Sequence, residues 1–225
     1  MPVGITLTLV VTAMLFFCTA KWTGNTHLVF DMPWFYMFGL AAIVGIPGVL
    51  FDDPNGAPVN NEESKKKKAF AAEFLAERAK EPDTYTLPSG VLFQVLRKGP
   101  TGGKSPKSHD ECEVHYCGML TNGQKFDSSY DRGRPLTFKP SHVIAGWTEA
   151  LQLMREDDEW KVFIPYQLAY GSQGAPPTIP SYAPLVFEME LLKVRGTGKG
   201  GDEASKTLQG LIGKSYDEVN TCAAR

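Results

Sequence analysis

The residue types able to make and break bonds are present in this chain of 225 residues, but they are spaced for other work. His27, His109, His115 and His142 show no ligand spacing with one another or with cysteine, so neither a metal site nor a cofactor is expected. Thr101-Gly102-Gly103-Lys104-Ser105 ends like a phosphate-binding loop, yet Lys98 stands where that loop needs its first glycine. The run Gly196–Gly201 reads as a flexible linker, not a nucleotide cradle. Cys112 and Cys117 fall on opposite faces of one strand, roughly 17 Å apart and too far to bridge. Cys18 lies in an apolar run and Cys222 in the tail, so free thiols and a reducing compartment are the expectation. What remains is a concentration of aromatic and aliphatic side chains between residues 114 and 188, with Asp127 set beside Phe126. Taken alone, such a set more often packs as ordinary core than forms a site.

The elements that must position these residues are legible. Val91 to Leu96 reads as a strand. Glu111 to Leu120 alternates, with Cys112, Val114 and Tyr116 on one face and Glu113, His115 and Cys117 on the other. Thr121-Asn122-Gly123-Gln124 is a hairpin signal. Trp147, Leu151 and Met154 at i, i+4 and i+7 predict a short helix over 147–154. Strands follow at Glu159–Ile164 and Leu185–Val194, separated by a Pro/Gly-rich loop. The class is therefore α+β, a sheet wrapping one short helix. Ahead of it a helix is predicted from about Glu62 to Lys80, with Phe70, Ala71, Phe74 and Leu75 on one face and Pro82 as its stop. The stem of Arg78 extends that face, which would pack on the domain behind it or on a partner.

Seven separated blocks carry a family resemblance in order and spacing. They are Val114-His115-Tyr116, Gly118-Met119-Leu120, Gly123, Lys125-Phe126-Asp127-Ser128-Ser129, Val143-Ile144-Ala145-Gly146-Trp147, Ala169-Tyr170-Gly171 and Leu185-Val186-Phe187-Glu188. Together they resemble FKBP-type peptidyl-prolyl cis-trans isomerases over residues 86–194. The stretch Gly146 to Met154, the preceding helix and Leu87-Pro88-Ser89-Gly90 are most similar to the macrophage-infectivity-potentiator branch. The resemblance implies an FKBP-like antiparallel half-barrel around a short helix, with the cleft between them.

It also implies the chemistry and the clients, which are proline-containing protein chains. Rotation about an X-Pro bond passes through a twisted amide that has lost its resonance, against a barrier of roughly 18–20 kcal/mol. An apolar, water-poor cleft favours that less polar state without a nucleophile or a metal. By position in the family pattern, Tyr116, Phe126, Val143, Ile144, Trp147 and Phe187 line the cleft, with Trp147 as floor. Tyr170 offers its hydroxyl and Ile144 its backbone N–H to substrate carbonyls. Asp127 stands at the rim, orienting Tyr116 or acting on the amide electrostatically. The loop 171–184 covers the pocket. Three departures bear on ligand affinity: Leu136 where many members carry Phe, a short Lys139-Pro140-Ser141-His142 stretch, and Thr178 ahead of the retained Ile179.

The rest of the chain is organised by charge. Only Lys21 and Asp31 are charged within residues 1–51. Val3 to Ala20 and Met32 to Phe51, 18 and 20 uncharged residues, would span roughly 27 and 30 Å as helices, enough for a bilayer core. Trp34, Phe35 and Tyr36 suit an interface. A membrane hairpin over 1–51 is expected, in contact with lipid, with a cleaved signal at residues 1–20 as the rival, disfavoured by the lack of a basic start. Lys65–Lys68 would then keep both termini and the soluble domain on the cytosolic or matrix side of a mitochondrial inner membrane or another organellar membrane. Residues 52–85 read as a linker and the amphipathic helix. Residues 195–225 read as a linker and a docking helix, through Ala204, Leu208, Leu211 and Ile212. A net charge of −2 gives no reason to expect nucleic acid. Two functions follow: a membrane-anchored isomerase, or an accessory subunit of a membrane protein complex that uses the fold as scaffold.

Overall fold

The computed structural model describes residues 61–221. The two apolar runs of the expected membrane hairpin lie outside the described residues. No helix among the described residues is long and apolar enough to cross a membrane.

The chain starts with α1 (Asn61–Arg78), whose first turn carries Glu62 and Glu63, the charge a helix N-terminus favours. It stops before Pro82, two residues earlier than the sequence reading placed it, because a residue preceding proline is disfavoured in the helical region. Three of the four expected contact residues face the protein: Ala71 is buried and Phe74 and Leu75 are half-buried, while Phe70 turns outward.

Seven strands follow: β1 (Thr84–Thr86), β2 (Leu92–Arg97), β3 (Glu111–Leu120), β4 (Lys125–Ser128), β5 (Leu136–Phe138), β6 (Glu159–Ile164) and β7 (Leu185–Arg195). They form one sheet in the order β1-β2-β6-β7-β3-β4, with β5 sharing the free edge of β3. All of the pairings are antiparallel. The short helix α2 (Ala145–Leu151) buries Trp147, Ala150 and Leu151. It ends earlier than predicted, but Met154 still bonds back to the Ala150 carbonyl at 3.0 Å and is buried. Sequence pattern alone left β1 and β5 unmarked, since three residues are too few for a period to show.

The register separates two rows of side chains. On the outer face, Leu92 pairs with Phe163, Phe163 with Val186 and Val186 with Met119. This row is covered by Phe74 and Leu75 of α1, with the Phe74 and Phe163 rings 6.3 Å apart, edge to face. On the inner face Val95, Trp160, Met189 and Tyr116 form one row, and Phe93, Val162, Phe187 and Gly118 the next. These inner positions are buried. Each large apolar side chain so buried contributes roughly 1.5–3 kcal/mol, which makes this layer the main determinant of the half-barrel.

The C-terminal segment closes the fold. The glycine-rich run reads as a flexible linker in sequence, yet Lys199 and Ser105 exchange backbone hydrogen bonds of 2.6 and 3.0 Å. Helix α3 (Gly201–Ile212) buries Ala204 and Leu208 against the same domain and is capped by Gly213 at φ 74°, a left-handed position that glycine takes without strain. Tyr216 and Val219 are buried. Thr221 then bridges Val95 in parallel, beyond the reach of the short β1. The docking helix therefore has its partner within the chain.

Candidate active site

The inner face of β3 and β7 and the start of α2 hold an aromatic cluster. Trp147, fully buried, meets Tyr116, Phe138 and Phe187 edge to face, with centroids 5.0, 5.5 and 5.2 Å away. Phe126 meets Phe187 at 5.6 Å in the same geometry. Edge-to-face packing sets positive ring edges on negative ring faces and adds roughly 0.5–1.5 kcal/mol per pair beyond burial, so the cluster is rigid as well as dry.

Phe126 and Asp127 are neighbours, and strict alternation would send them to opposite faces of the sheet. The register between β3 and β4 shifts between Gly118 and Met119. An irregularity of this kind re-aims side chains, and here both residues serve one region. The Phe126 ring lies over Gly118, where an added Cβ would stand 2.7 Å from the ring edge. The Asp127 carboxylate accepts the Tyr116 hydroxyl proton at 2.6 Å.

Arg132 completes this group. It pairs with the second oxygen of Asp127, donates to the Tyr116 hydroxyl at 2.7 Å, and sets its guanidinium 5.5 Å from the Tyr116 ring centre. Burial and then the Asp127 acceptor hold the Tyr116 hydroxyl well above the ordinary tyrosine range. Tyr170 is raised likewise, first by burial and then by the Asp127 charge. Both phenols are therefore hydrogen-bond donors at neutral pH, and neither is a nucleophile.

The backbone of Tyr116 is pinned from the other side. The buried Ser129 hydroxyl accepts the Tyr116 N–H at 2.8 Å, and the Ser129 N–H donates to the Tyr116 carbonyl at 3.0 Å. Ser129 Oγ also contacts His115 Nδ1 at 2.9 Å. The His115 ring is stacked on Tyr130 at 4.5 Å.

The remaining predicted residues are placed by their elements. Ile144 precedes α2 in extended conformation, and its carbonyl accepts from the N–H groups of Trp147 and Thr148 at 2.9 and 3.0 Å. Its own N–H thus lies outside the helical bonding. Val143 and Ile144 are half-buried, as is Leu136, which pairs with Val114 on β5. In the loop 171–184, Ile179 exchanges backbone hydrogen bonds with Ala175 at 2.8 and 2.9 Å and is 1% exposed.

The structure joins Tyr116, Phe126, Asp127, Trp147 and Phe187 directly by rings and hydrogen bonds. Val143, Ile144, Leu136 and Ile179 are located without such direct links. The sequence does not single out Arg132 or Phe138, and Gly118 and Ser129 enter it only as members of the family blocks, without a role at the site. Arg132, five positions after Asp127, carries the opposite charge, and that was the available signal. No group of acidic, histidine or cysteine residues able to hold a metal occurs among the described residues.

The family model for FKBP-type peptidyl-prolyl cis-trans isomerases matches residues 102–192. A macrophage infectivity potentiator of Trypanosoma cruzi is 48% identical over 148 residues, covering 65% of this chain and 75% of that protein. The FKBP-type isomerase FkpA of Aeromonas hydrophila is 47% identical over 144 residues, covering 64% of this chain and 52% of that protein. The crystal structure of FkpA from Escherichia coli superposes with a TM-score of 0.56 at 39% identity, over 60% of this chain and 62% of that one. The chain thus spans three quarters of the trypanosomal relative and about half of the Aeromonas one.

Proposed function

This chain belongs to the FKBP-type peptidyl-prolyl cis-trans isomerases, and on that premise we propose that it rotates X-Pro bonds of protein clients in the cleft floored by Trp147. Tyr116, Phe126, Asp127 and Tyr170 are the residues nearest the reacting amide in this reading. The proline ring sits on Trp147 between Phe126, Phe187, Val143 and Ile144, with Leu136 and Ile179 bounding its neighbours. As the amide twists, its nitrogen becomes pyramidal and its carbonyl loses resonance. The dry aromatic walls favour that state over the planar, more polar one. The Ile144 N–H and the Tyr170 hydroxyl hold substrate carbonyls in place. Asp127, held between Arg132 and the Tyr116 hydroxyl, orients Tyr116 and faces the twisting bond without forming a covalent link.

The observation that carries this reading is the Arg132–Asp127–Tyr116 group set at the edge of the ring cluster. A carboxylate with two donors already in place is fixed in orientation beside an apolar wall and needs no rearrangement during turnover. The test is proline isomerisation of a short peptide by the full chain, beside Asp127→Ala and Tyr170→Phe. Loss of turnover in both folded variants supports the assignment. Wild-type rates in both would remove these residues from the mechanism.

We further propose that residues 1–51 anchor the enzyme as a membrane hairpin, with the domain on the cytosolic or matrix face. The support is the length of the two uncharged runs. Alkaline carbonate extraction tests it, and release of the chain into the soluble fraction would refute it. The reading as an accessory subunit loses one of its motives, because α3 and Tyr216 are occupied by the chain's own domain.

A further inference from the structure

Helix α1 covers the outer row of the sheet, but its N-terminal half leaves a groove. This cavity of about 320 Å³ is lined by Lys66, Lys67, Phe70, Thr121 and the stretch Pro180–Pro184. Phe70 keeps 55% of its surface exposed, although the next turn of the helix buries Ala71 and half-buries Phe74 and Leu75. A large aromatic ring left open above an apolar wall is a surface awaiting a contact.

The opposite wall is held in place. Lys67 Nζ donates to Ser181 Oγ at 3.0 Å, and the Lys68 ammonium stands 5.2 Å from the Tyr182 ring centre. Tyr166 meets Tyr182 edge to face at 5.3 Å, and the Tyr182 N–H donates to the Gly171 carbonyl at 3.2 Å. The groove is therefore preformed, so filling it costs little ordering entropy. At its rim Lys66 is exposed and has no ion-pair partner among the described residues, whereas Lys65 and Lys67 pair with Glu62 and Glu63 at 3.0 and 2.8 Å.

Continuity with the cleft identifies the occupant. The wall Pro180–Pro184 directly follows Ile179, which the proposed reading sets beside the cleft, so in that reading one loop borders both. We propose that the groove is a second contact site for the same client chain. A residue flanking the isomerised proline lays an aromatic or large aliphatic side chain on Phe70 and Pro180–Pro184, and a neighbouring carboxylate meets Lys66. This rests on the isomerase reading. Remote binding of this kind is made equally in the planar and twisted states, so it lowers KM and leaves kcat unchanged. Clients with apolar-acidic segments near proline are thereby selected over those with bare X-Pro sites.

The experiment uses the full chain and two kinds of substrate. One is a tetrapeptide carrying the X-Pro bond. The other is a series of longer peptides with the same core and a Phe-Glu pair at increasing distances on either side, each matched to a Gly-Gly control. At one spacing KM falls by roughly tenfold, the scale of burying about half of one large apolar side chain. Phe70→Ser abolishes the gain and Lys66→Glu reduces it, while tetrapeptide turnover stays at the wild-type level. No gain at any spacing, or a gain that survives Phe70→Ser, overturns the proposal. Fluorescence anisotropy of the labelled long peptide is read in parallel. Binding that depends on Phe70 without any turnover would overturn the isomerase reading and leave the groove standing. Sedimentation supplies the last arm: a dimer that Phe70→Ser dissociates would assign the groove to a second copy and overturn the client assignment.

Discussion

Gly118→Ala is the sharpest perturbation of the site that leaves every polar group untouched. A Cβ at this position would lie 2.7 Å from Cζ of Phe126 and 2.8 Å from Cε1 of Phe187. Ordinary carbon contacts begin near 3.5 Å, so the rings must retreat by roughly 0.8 Å or the strand must bow. Phe187 is buried and packed on Trp147 at 5.2 Å, which leaves half-buried Phe126 as the ring that yields, toward the cleft. Overpacking of this kind costs about 1–3 kcal/mol. Urea titration should show a loss of that size with an unchanged denaturant slope. In the folded fraction, peptide turnover should fall by about tenfold or more, since a misplacement of this order in a binding wall costs about 1.4 kcal/mol of transition-state stabilisation. Adding Phe126→Leu should recover part of the stability and none of the activity, so the two substitutions are coupled in stability. A variant with wild-type stability and wild-type kcat/KM would mean that Phe126 is not confined by Gly118, and the account of the cleft wall would be wrong.

Three further outcomes follow from the geometry. Asp127→Asn keeps the shape and removes the charge, leaving the Arg132 guanidinium half-buried without its anion. Turnover should drop by roughly tenfold with little change in KM, and an unchanged kcat would refute the electrostatic role. Tyr216→Phe takes one hydrogen bond from the buried carboxylate of Asp158, which otherwise keeps the N–H groups of Gly99 and Arg155 at 2.7 Å each. The expected loss is about 1–3 kcal/mol, read as a melting point lower by several degrees, with isomerase activity preserved at low temperature. Equal melting points would show that the tail is not coupled to the domain. The last outcome concerns alkaline pH. Burial, helped by the nearby Asp110 charge, pushes the Cys112 thiol from its ordinary value of 9.0 up to about 12. Above pH 9 the unfolded chain releases this proton while the folded chain keeps it, so stability present below pH 9 is lost as pH rises toward 12. The slope of stability between pH 9 and 10 should flatten in Cys112→Ala, and an identical slope would contradict the burial of that thiol.

Local pattern settled a good part of this protein. The alternation of Glu111–Leu120 already assigns Cys112, Val114 and Tyr116 to the inner face, because a strand has a period of two and one side must be dry. The Asn122-Gly123 turn forms as its residue types require, with Gly123 at φ 81° and the Leu120 N–H bonded to the Gln124 carbonyl at 2.9 Å. The blocks from Tyr116 to Phe187 name the fold because their order and spacing cannot be met by chance in many other ways. The uncharged lengths of the first 51 residues likewise follow from sequence alone.

Tertiary structure decided the rest, wherever the outcome depends on which distant segment arrives at a surface. Phe126 and Asp127 share a site only because the ladder with β3 slips at Gly118, and a register shift has no signature in either strand alone. Arg132 is one more surface-type cation in sequence, and it joins the site because the turn after β4 folds back toward Tyr116. The amphipathic pattern of α3 predicts that it docks but not on what. The partner is its own domain because Asp158, Arg155 and the open edge of β2 offer Tyr216, Gly201 and Thr221 satisfied hydrogen bonds at that place. Phe70 falls on the same predicted stripe as Ala71, yet it stays exposed, since the outer row of the sheet ends beneath Phe74 and Leu75. Periodicity fixes which residues share a face, and only the assembled sheet fixes how far that face is covered.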